Sequence, residues 1–339
     1  MPILSLPVAL LALALAAGAI ALAGPRMVRV ADRLADVTGL GEAFVGAVLV
    51  GAATSLPDIL ATALPAVRGF AELAVGNALG GVLGQTAFLA IADLTYRRAN
   101  LEHAAASLPN LVQGTLLITL LGGVMVLFTA PEGAVLGVHP GSLVLLVVYG
   151  YGLRLVTETS QAPMWRAVET EETTLDVPDE PVSDDGAPAR LWGAFAGLAA
   201  VLAGAGITLA VAGESLVSQA GWNEAAVGVF LTGVGSSLAE LVVSIAAIRA
   251  GALTLAVGNV IGGNTFDTLL VVVADIAYRD GSVYAAVGSS APLVTALALV
   301  ATAVITLGLL RRERHGVGNI GVESVVVLLL YVGAIALVV

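Results

Sequence analysis

The chain has 339 residues, 58% of them hydrophobic and 12% charged, and a net charge of −11. Its mean hydropathy of +0.98 lies far above that of a soluble globular domain and predicts a polytopic membrane protein. Cysteine is absent and every basic residue is arginine. The first excludes a disulfide framework and a thiolate metal centre, and the acidic balance excludes a basic nucleic-acid surface.

The first predicted span runs from about Ile3 to Ala23. It ends in Ala-Leu-Ala, as a cleaved signal would, but no basic residue precedes the apolar run, so a permanent helix is expected. A loop with Arg26, Arg29 and Arg33 follows. The second span is Glu42 to Ala66, broken near Gly51–Pro57. The third is Ala71 to Thr95, with a weak point at Gly80–Gly81, and Arg97 and Arg98 follow it. The fourth is Ser107–Thr129 and the fifth Gly141–Val156.

Residues 157–190 are rich in Glu, Asp, Thr and Pro without apolar periodicity, and read as a flexible polar linker. The later spans are Leu191–Ala212, Glu224–Ile248, Leu253–Ala277, Val283–Leu310 and Ile320–Val339. The expected organisation is therefore a five-helix unit over 1–156, an acidic linker over 157–190 and a second five-helix unit over 191–339. Arginine lies almost entirely on the side holding the linker; the other side has only Arg68 and Arg279. The positive-inside rule then puts the linker in the cytoplasm and both termini outside the cell.

One stretch occurs twice. GAATSLPDILATALPAVRGFAELAVGNALGGVLGQ covers 51–85, and GVGSSLAELVVSIAAIRAGALTLAVGNVIGGNTFD covers 233–267. They align without a gap, and more than about a third of positions are identical over Glu42–Arg97 against Glu224–Arg279, as in an internally duplicated transporter. Five spans is an odd number, so the two units sit in opposite orientations. The predicted class is an all-α membrane protein of ten helices in two inverted five-helix repeats.

Thr54 and Asp58 share a helix face, as do Ser236 and Glu240. Inverted hairpins would bring Asp58, Gln85, Glu240 and Asp267 together near the midplane. Carboxylates and a carboxamide with nearby hydroxyls form a hard oxygen set, suited to Ca²⁺ or Na⁺ rather than zinc or copper. Ionisable groups at that depth mark an ion path by default. Around them, Asn77 and Asn259 would tie down broken backbone, and the pairs Gly76/Gly80 and Gly258/Gly262 would pack helices closely. Asp93–Arg97 and Asp275–Arg279 would pair at helix ends, and Gln113 would make a packing contact.

The paired segments resemble the two α-repeats of the Ca²⁺/cation antiporter superfamily, in particular the prokaryotic Na⁺/Ca²⁺ exchangers. The family pattern is roughly G-T-S-x-P-E followed by G-N-x-x-G-S-N-x-x-[ND]. Here ATSLPD and GNALGGVLGQ form one copy, GSSLAE and GNVIGGNTFD the other. The resemblance implies exchange of Ca²⁺ for Na⁺ by alternating access, with H⁺/Ca²⁺ or other cation exchange as the alternative. It implies Asp58, Glu240 and Asp267 as acidic ligands, Gln85 as an amide ligand, Thr54, Ser55, Ser236 and Ser237 as hydroxyl ligands, and Gly51 and Gly233 as carbonyl ligands. No cofactor and no protein partner are implied beyond the ions and the bilayer. Gly81 and Gly263 replace the family's Ser, which removes two hydroxyls and leaves the coupling ion open. An intramembrane enzyme using an aspartyl pair is the competing class; GxGD, HExxH and GxSxG motifs are all absent.

Overall fold

The structure, a computed structural model, describes residues 4–38, 54–96, 99–161, 168, 188–251, 253–314, 316 and 321–339. Regular structure among them is helical, apart from a single bridge between Val135 and Val138. In a bilayer no water serves backbone N–H and C=O groups, so such a chain closes its hydrogen bonds within helices. The first half contains α1 (Leu6–Thr38), α2 (Leu56–Val67), α3 (Ala71–Thr95), the one-turn α4 (Leu101–Ala104), α5 (Leu108–Thr129) and α6 (Pro140–Gln161). The second contains α7 (Pro188–Ala220), α8 (Glu224–Ser236), α9 (Leu238–Ala250), α10 (Leu253–Asp267), α11 (Leu270–Ala277), α12 (Val283–Ala286), α13 (Ser290–Arg311) and α14 (Val322–Val338).

Among the described residues seven helices are long and apolar enough to cross a membrane, and α8 with α9, bent by 46° between them, make an eighth. The shorter α2 and α14 are also apolar. The architecture is the expected all-α polytopic one, compatible with ten spans. Five expectations change in detail. The Arg26–Arg33 loop is helical, because α1 continues through Pro25 to Thr38. Arg26 and Arg29 turn back to donate to the carbonyls of Leu22 and Pro25. The third span is not weakened at Gly80–Gly81; α3 is continuous there. The eighth span breaks instead after Asp267, at Thr268–Leu269. The ninth begins at Ser290, with α12 separate from it. Helices also enter the expected linker from both ends, to Gln161 and from Pro188. Its remainder, apart from Val168, and the start of the second span lie outside the described residues.

Helix α3 is the centre of the molecule and is buried along nearly its whole length. It packs against α2, α8, α10, α13 and α14, while α1 and α7 lie along one another as an outer layer. Ile20, Met27, Leu202 and Leu209 fill the space beneath that layer. Glycine sets the closest crossing. A Cβ on Gly80 would stand 2.3 Å from Val229 Cα, and one on Gly228 2.7 Å from the Leu73 carbonyl oxygen. The backbones of α3 and α8 therefore touch, which no other residue type allows.

Two buried aspartates fasten the repeats at their ends, and they are equivalent. Asp275 accepts from the Val283 and His139 N–H groups and from the Ser282 and Ser142 hydroxyls. Asp93 accepts from the Leu101 and Gly321 N–H groups and the Ser324 hydroxyl. Asp93, Leu101, His139 and Ser142 map onto Asp275, Val283, Gly321 and Ser324 by one constant offset along the chain. Both carboxylates serve cross-repeat anchoring, not the expected pairing of Asp275 with Arg279, which is exposed. Arg97, the expected partner of Asp93, lies outside the described residues.

Candidate functional site

The break between α8 and α9 falls at Ser237, one α-helical turn (Gly233–Ser236) past a π-helical stretch over Val227–Thr232. The helical bond from the Ser237 N–H back to the Gly233 carbonyl persists at the bend, and both serine hydroxyls turn to the same oxygen. The Gly233 carbonyl therefore collects three donors: the Ser236 and Ser237 hydroxyls, at 3.1 and 2.9 Å, and the Ser237 N–H. Its lone pairs point at hydroxyls, so the carbonyl expected as a ligand is engaged in this conformation. In the other copy α2 opens with Leu56-Pro57, where the proline nitrogen needs no acceptor. Gly51, the equivalent glycine, lies outside the described residues.

These breaks aim the acidic residues inward. Asp58 is 2% exposed, Gln85 1% and Asp267 4%. The carboxylate of Glu240, on the first turn of α9, feels those of Asp58 and Asp267, so the three acids face one volume. Gln85 donates from Nε2 to Asp267 Oδ2 at 2.6 Å and to Ser237 Oγ at 3.1 Å. Asn77 donates to Thr62 Oγ1 at 3.0 Å and to the Asp58 carbonyl at 3.4 Å. Ser55 is buried at the start of α2, and Thr54 is half-buried beside it.

Of the predicted set, Asp58 lies on α2, Gln85 on α3, Ser236 on α8, Glu240 on α9 and Asp267 on α10, and Gln85 is in direct contact with Asp267 and Ser237. Among the described residues, three acidic side chains alone do not form a compact metal cage. Amide and hydroxyl oxygens complete the surroundings. Several buried oxygens have no partner: Asp58 Oδ2, Asn77 Oδ1, Gln85 Oε1, Glu240 Oε2 and Asn264 Oδ1. All five are acceptors. An unsatisfied buried acceptor is costly, and a bare cation would satisfy several at once.

Three residues join the site that sequence reasoning passed over. Tyr149 on α6 packs edge-on to Phe266 and feels the Asp267 carboxylate. Ser244, one turn beyond Glu240, is buried with its hydroxyl unpartnered. Thr86 accepts from Asn264 Nδ2 at 3.0 Å, joining α3 to α10 beside Gln85. The repeat offset would have pointed to Tyr149, whose equivalent is Tyr331. The same offset pairs Ser244 with Thr62, another buried hydroxyl. The second glycine pair also behaves differently from the first. Gly258 and Gly262 make room for the Asn110 and Gln113 side chains, not for a backbone.

The model of the family described as sodium/calcium exchanger protein matches residues 8–157 and 190–339. A relative from Alkalimonas amylolytica named "Putative antiporter CaxA" is 30% identical over 324 residues, 91% of each chain. The inner membrane protein YrbG of Escherichia coli strain K12 is 27% identical over 249 residues, 73% of this chain and 72% of that one. Among solved structures, the sodium-calcium exchanger NCX_Mj soaked with 10 mM Na⁺ and zero Ca²⁺ superposes with a TM-score of 0.62. That match covers 98% of this chain and 99% of the other at 17% identity, and carries the fold alone. With nearly the full length of both halves matched, this chain belongs to the sodium/calcium exchanger family of membrane antiporters.

Proposed function

We propose that the chain exchanges Ca²⁺ for Na⁺ by alternating access, at a site made by Asp58, Gln85, Glu240 and Asp267 with Thr54, Ser55, Ser236 and Ser237 beside them. The observation that supports it best is the group of unpartnered acceptor oxygens on Asp58, Gln85 and Glu240. Ca²⁺ takes six to eight oxygens of this kind, about the number that such a mixed set offers. The empty cavity holds mutually repelling carboxylates in a low-dielectric layer, which opposes its passage between the two faces. Either load, one Ca²⁺ or several Na⁺, offsets that charge and frees the transition. Exchange is then obligatory, and no covalent step is needed.

Proton coupling is the second reading, and Gly81 and Gly263 favour it. Each stands where the family has a hydroxyl, and a Cβ at Gly81 would lie only 3.1 Å from Ser237 Oγ. Fewer hydroxyls weaken Na⁺ sites more than a carboxylate site for Ca²⁺ or H⁺. On the arginine distribution, the protein lies in the cell membrane with the linker in the cytoplasm and both termini outside.

Ca²⁺ uptake into proteoliposomes tests both readings. Loading with Na⁺ and diluting into Na⁺-free buffer drives uptake under the first. Uptake that answers only to a pH gradient selects the second, and no ion movement by folded protein under either gradient sinks both.

A further inference from the structure

The two aspartate nodes differ in one member. Beside Ser142 and Asp275 stands Tyr284; at the equivalent place beside Ser324 and Asp93 stands Glu102. A serine hydroxyl carries one hydrogen. Ser142 donates it to Asp275 Oδ2 at 2.7 Å, so Tyr284, whose hydroxyl is 3.0 Å from Ser142, supplies the hydrogen of the other contact. Burial pushes the Tyr284 phenol up, which holds it in the O–H form. Ser324 also touches two groups, Asp93 Oδ2 at 3.0 Å and Glu102 Oε1 at 3.2 Å, and both are carboxyls. One hydrogen cannot serve two carboxylates. A proton on Glu102 repairs the count, and Glu102 to Ser324 to Asp93 then copies the order of donation that runs from Tyr284.

We propose that Glu102 is a proton-binding site apart from the cation path, whose acid form latches α4 to the ends of α3 and α14. Glu102 is 4% exposed, and its Oε2 has no partner. A Cβ on Gly321 would meet Glu102 Oε2 at 3.2 Å and Glu323 Oε2 at 3.3 Å, so two acids share this corner. Among the described residues, the charged and titratable groups around it are few. Helix α3 brings Asp93, and α14 brings Glu323. His103, on α4 itself, has Nδ1 2.7 Å from the Arg312 carbonyl. The end of α13 brings Arg311, 3.8 Å from Glu323 Oε1 and 3.2 Å from Glu313, and Arg312, which donates to the His103 carbonyl. Helix α10 also packs on α4 and has no charged side chain at this end. Among these described groups the acids prevail, since Arg311 is exposed and divided between two glutamates.

Burial, then the neighbouring Asp93 and Glu323 carboxylates, push Glu102 up from 4.5 to about 7. The folded protein thus keeps a proton that the unfolded chain has released. The latch is complete below 4.5 and is lost as pH rises through about 7. Arg312, beside it, also donates to the carbonyl of linker residue Val168. The corner therefore joins the loop between α3 and α5, the last helix and the linker on one face. It stands whether or not Ca²⁺ is the cargo.

Infrared spectroscopy of the full-length protein in detergent reads this proton directly. The difference between wild type and Glu102→Gln isolates its carboxylic C=O band from those of Asp58, Glu240 and Asp267. A band present at about pH 5.5 and gone by about pH 9, with its midpoint near 7, is expected. Absence of the band at every pH, or a midpoint below about 5, overturns the proposal. Glu323→Gln, which removes a like charge and leaves Glu102 in place, should move the midpoint to lower pH. An unmoved midpoint removes the shared corner and the proposal with it.

Discussion

Gln85 and Asp267 are equivalent positions of the two repeats, 182 residues apart, and they are bonded to each other at 2.6 Å. Two residues related by a local twofold axis touch only where that axis passes. Their bond therefore marks the crossing of the repeats, at the middle of the acidic site. The asymmetry of the pair makes the contact possible. An amide can donate to a carboxylate, whereas two carboxylates at that distance would have to share a proton or a cation.

Gln85→Glu tests that relationship. It places a second acid at 2.6 Å from Asp267. The expected cost in ion-free buffer is about 1–3 kcal/mol, from the lost donor and the added repulsion. Added Ca²⁺ should raise the thermal midpoint of this variant more than that of wild type, because a divalent cation offsets both carboxylates where a shared proton offsets one. Equal Ca²⁺ responses would show that no ion lodges at the axis.

Neutralising Glu240 separates transport from stability. Its carboxylate is buried, has an unpartnered oxygen and is repelled by Asp58 and Asp267. Glu240→Gln keeps the shape and removes the repulsion. Ca²⁺ uptake should fall to background while the thermal midpoint in chelator stays level or rises. A midpoint that drops by several degrees would instead mean that Glu240 holds the helices together.

These residues were legible in the sequence because each appears twice at one spacing, and costly groups repeated at membrane depth carry their own signal. Asp58 with Glu240 and Gln85 with Asp267 needed nothing else. Asp275 was misread because it has an arginine four residues on, the strongest local pattern available, and the anchoring role of Asp93 was hidden by the same pattern. Their true donors lie far along the chain, at Gly321, Ser324, His139 and Ser142. Applying the repeat offset to Ser142 and Ser324 would have exposed the match, since two serines at equivalent places are hydrogen-bond donors looking for one acceptor each. The extension of α1 past Pro25 had no such signal. Arginines usually end a span, and only the return of Arg26 and Arg29 to carbonyls of their own helix explains how this one continues.

The aspartate nodes predict large but unequal losses. Asp275→Ala leaves two N–H groups and two hydroxyls without their acceptor. At about 1–3 kcal/mol for each buried donor left unmet, several kcal/mol are at stake, partly recovered where hydroxyls turn elsewhere. Asp93→Ala should cost less at neutral pH, because it also relieves Glu102 of a neighbouring negative charge. Thermal unfolding of the two variants at about pH 8 checks the order. A greater loss from Asp93→Ala would mean that the two nodes are not equivalent in load.

The crossing of α3 and α8 yields the sharpest contrast between glycines. Gly80→Ala puts a methyl carbon 2.3 Å from Val229 Cα and 2.5 Å from its carbonyl oxygen. Those neighbours are backbone and cannot rotate aside, so the helices must separate. Overpacking of this kind costs about 1–3 kcal/mol where side chains can yield, and a backbone contact belongs at or beyond the upper end. Gly18→Ala, with nothing within 4 Å of its new carbon, should gain slightly from the better helix propensity of alanine. The two helices that Gly80 lets touch carry Gln85 and the Ser236–Ser237 bend. Gly80→Ala should therefore lower Ca²⁺ uptake as well as the thermal midpoint, and Gly18→Ala should change neither by much. If Gly80→Ala unfolded no earlier than Gly18→Ala, the close crossing would not exist in the membrane, and with it would go the packing that holds the axis residues together.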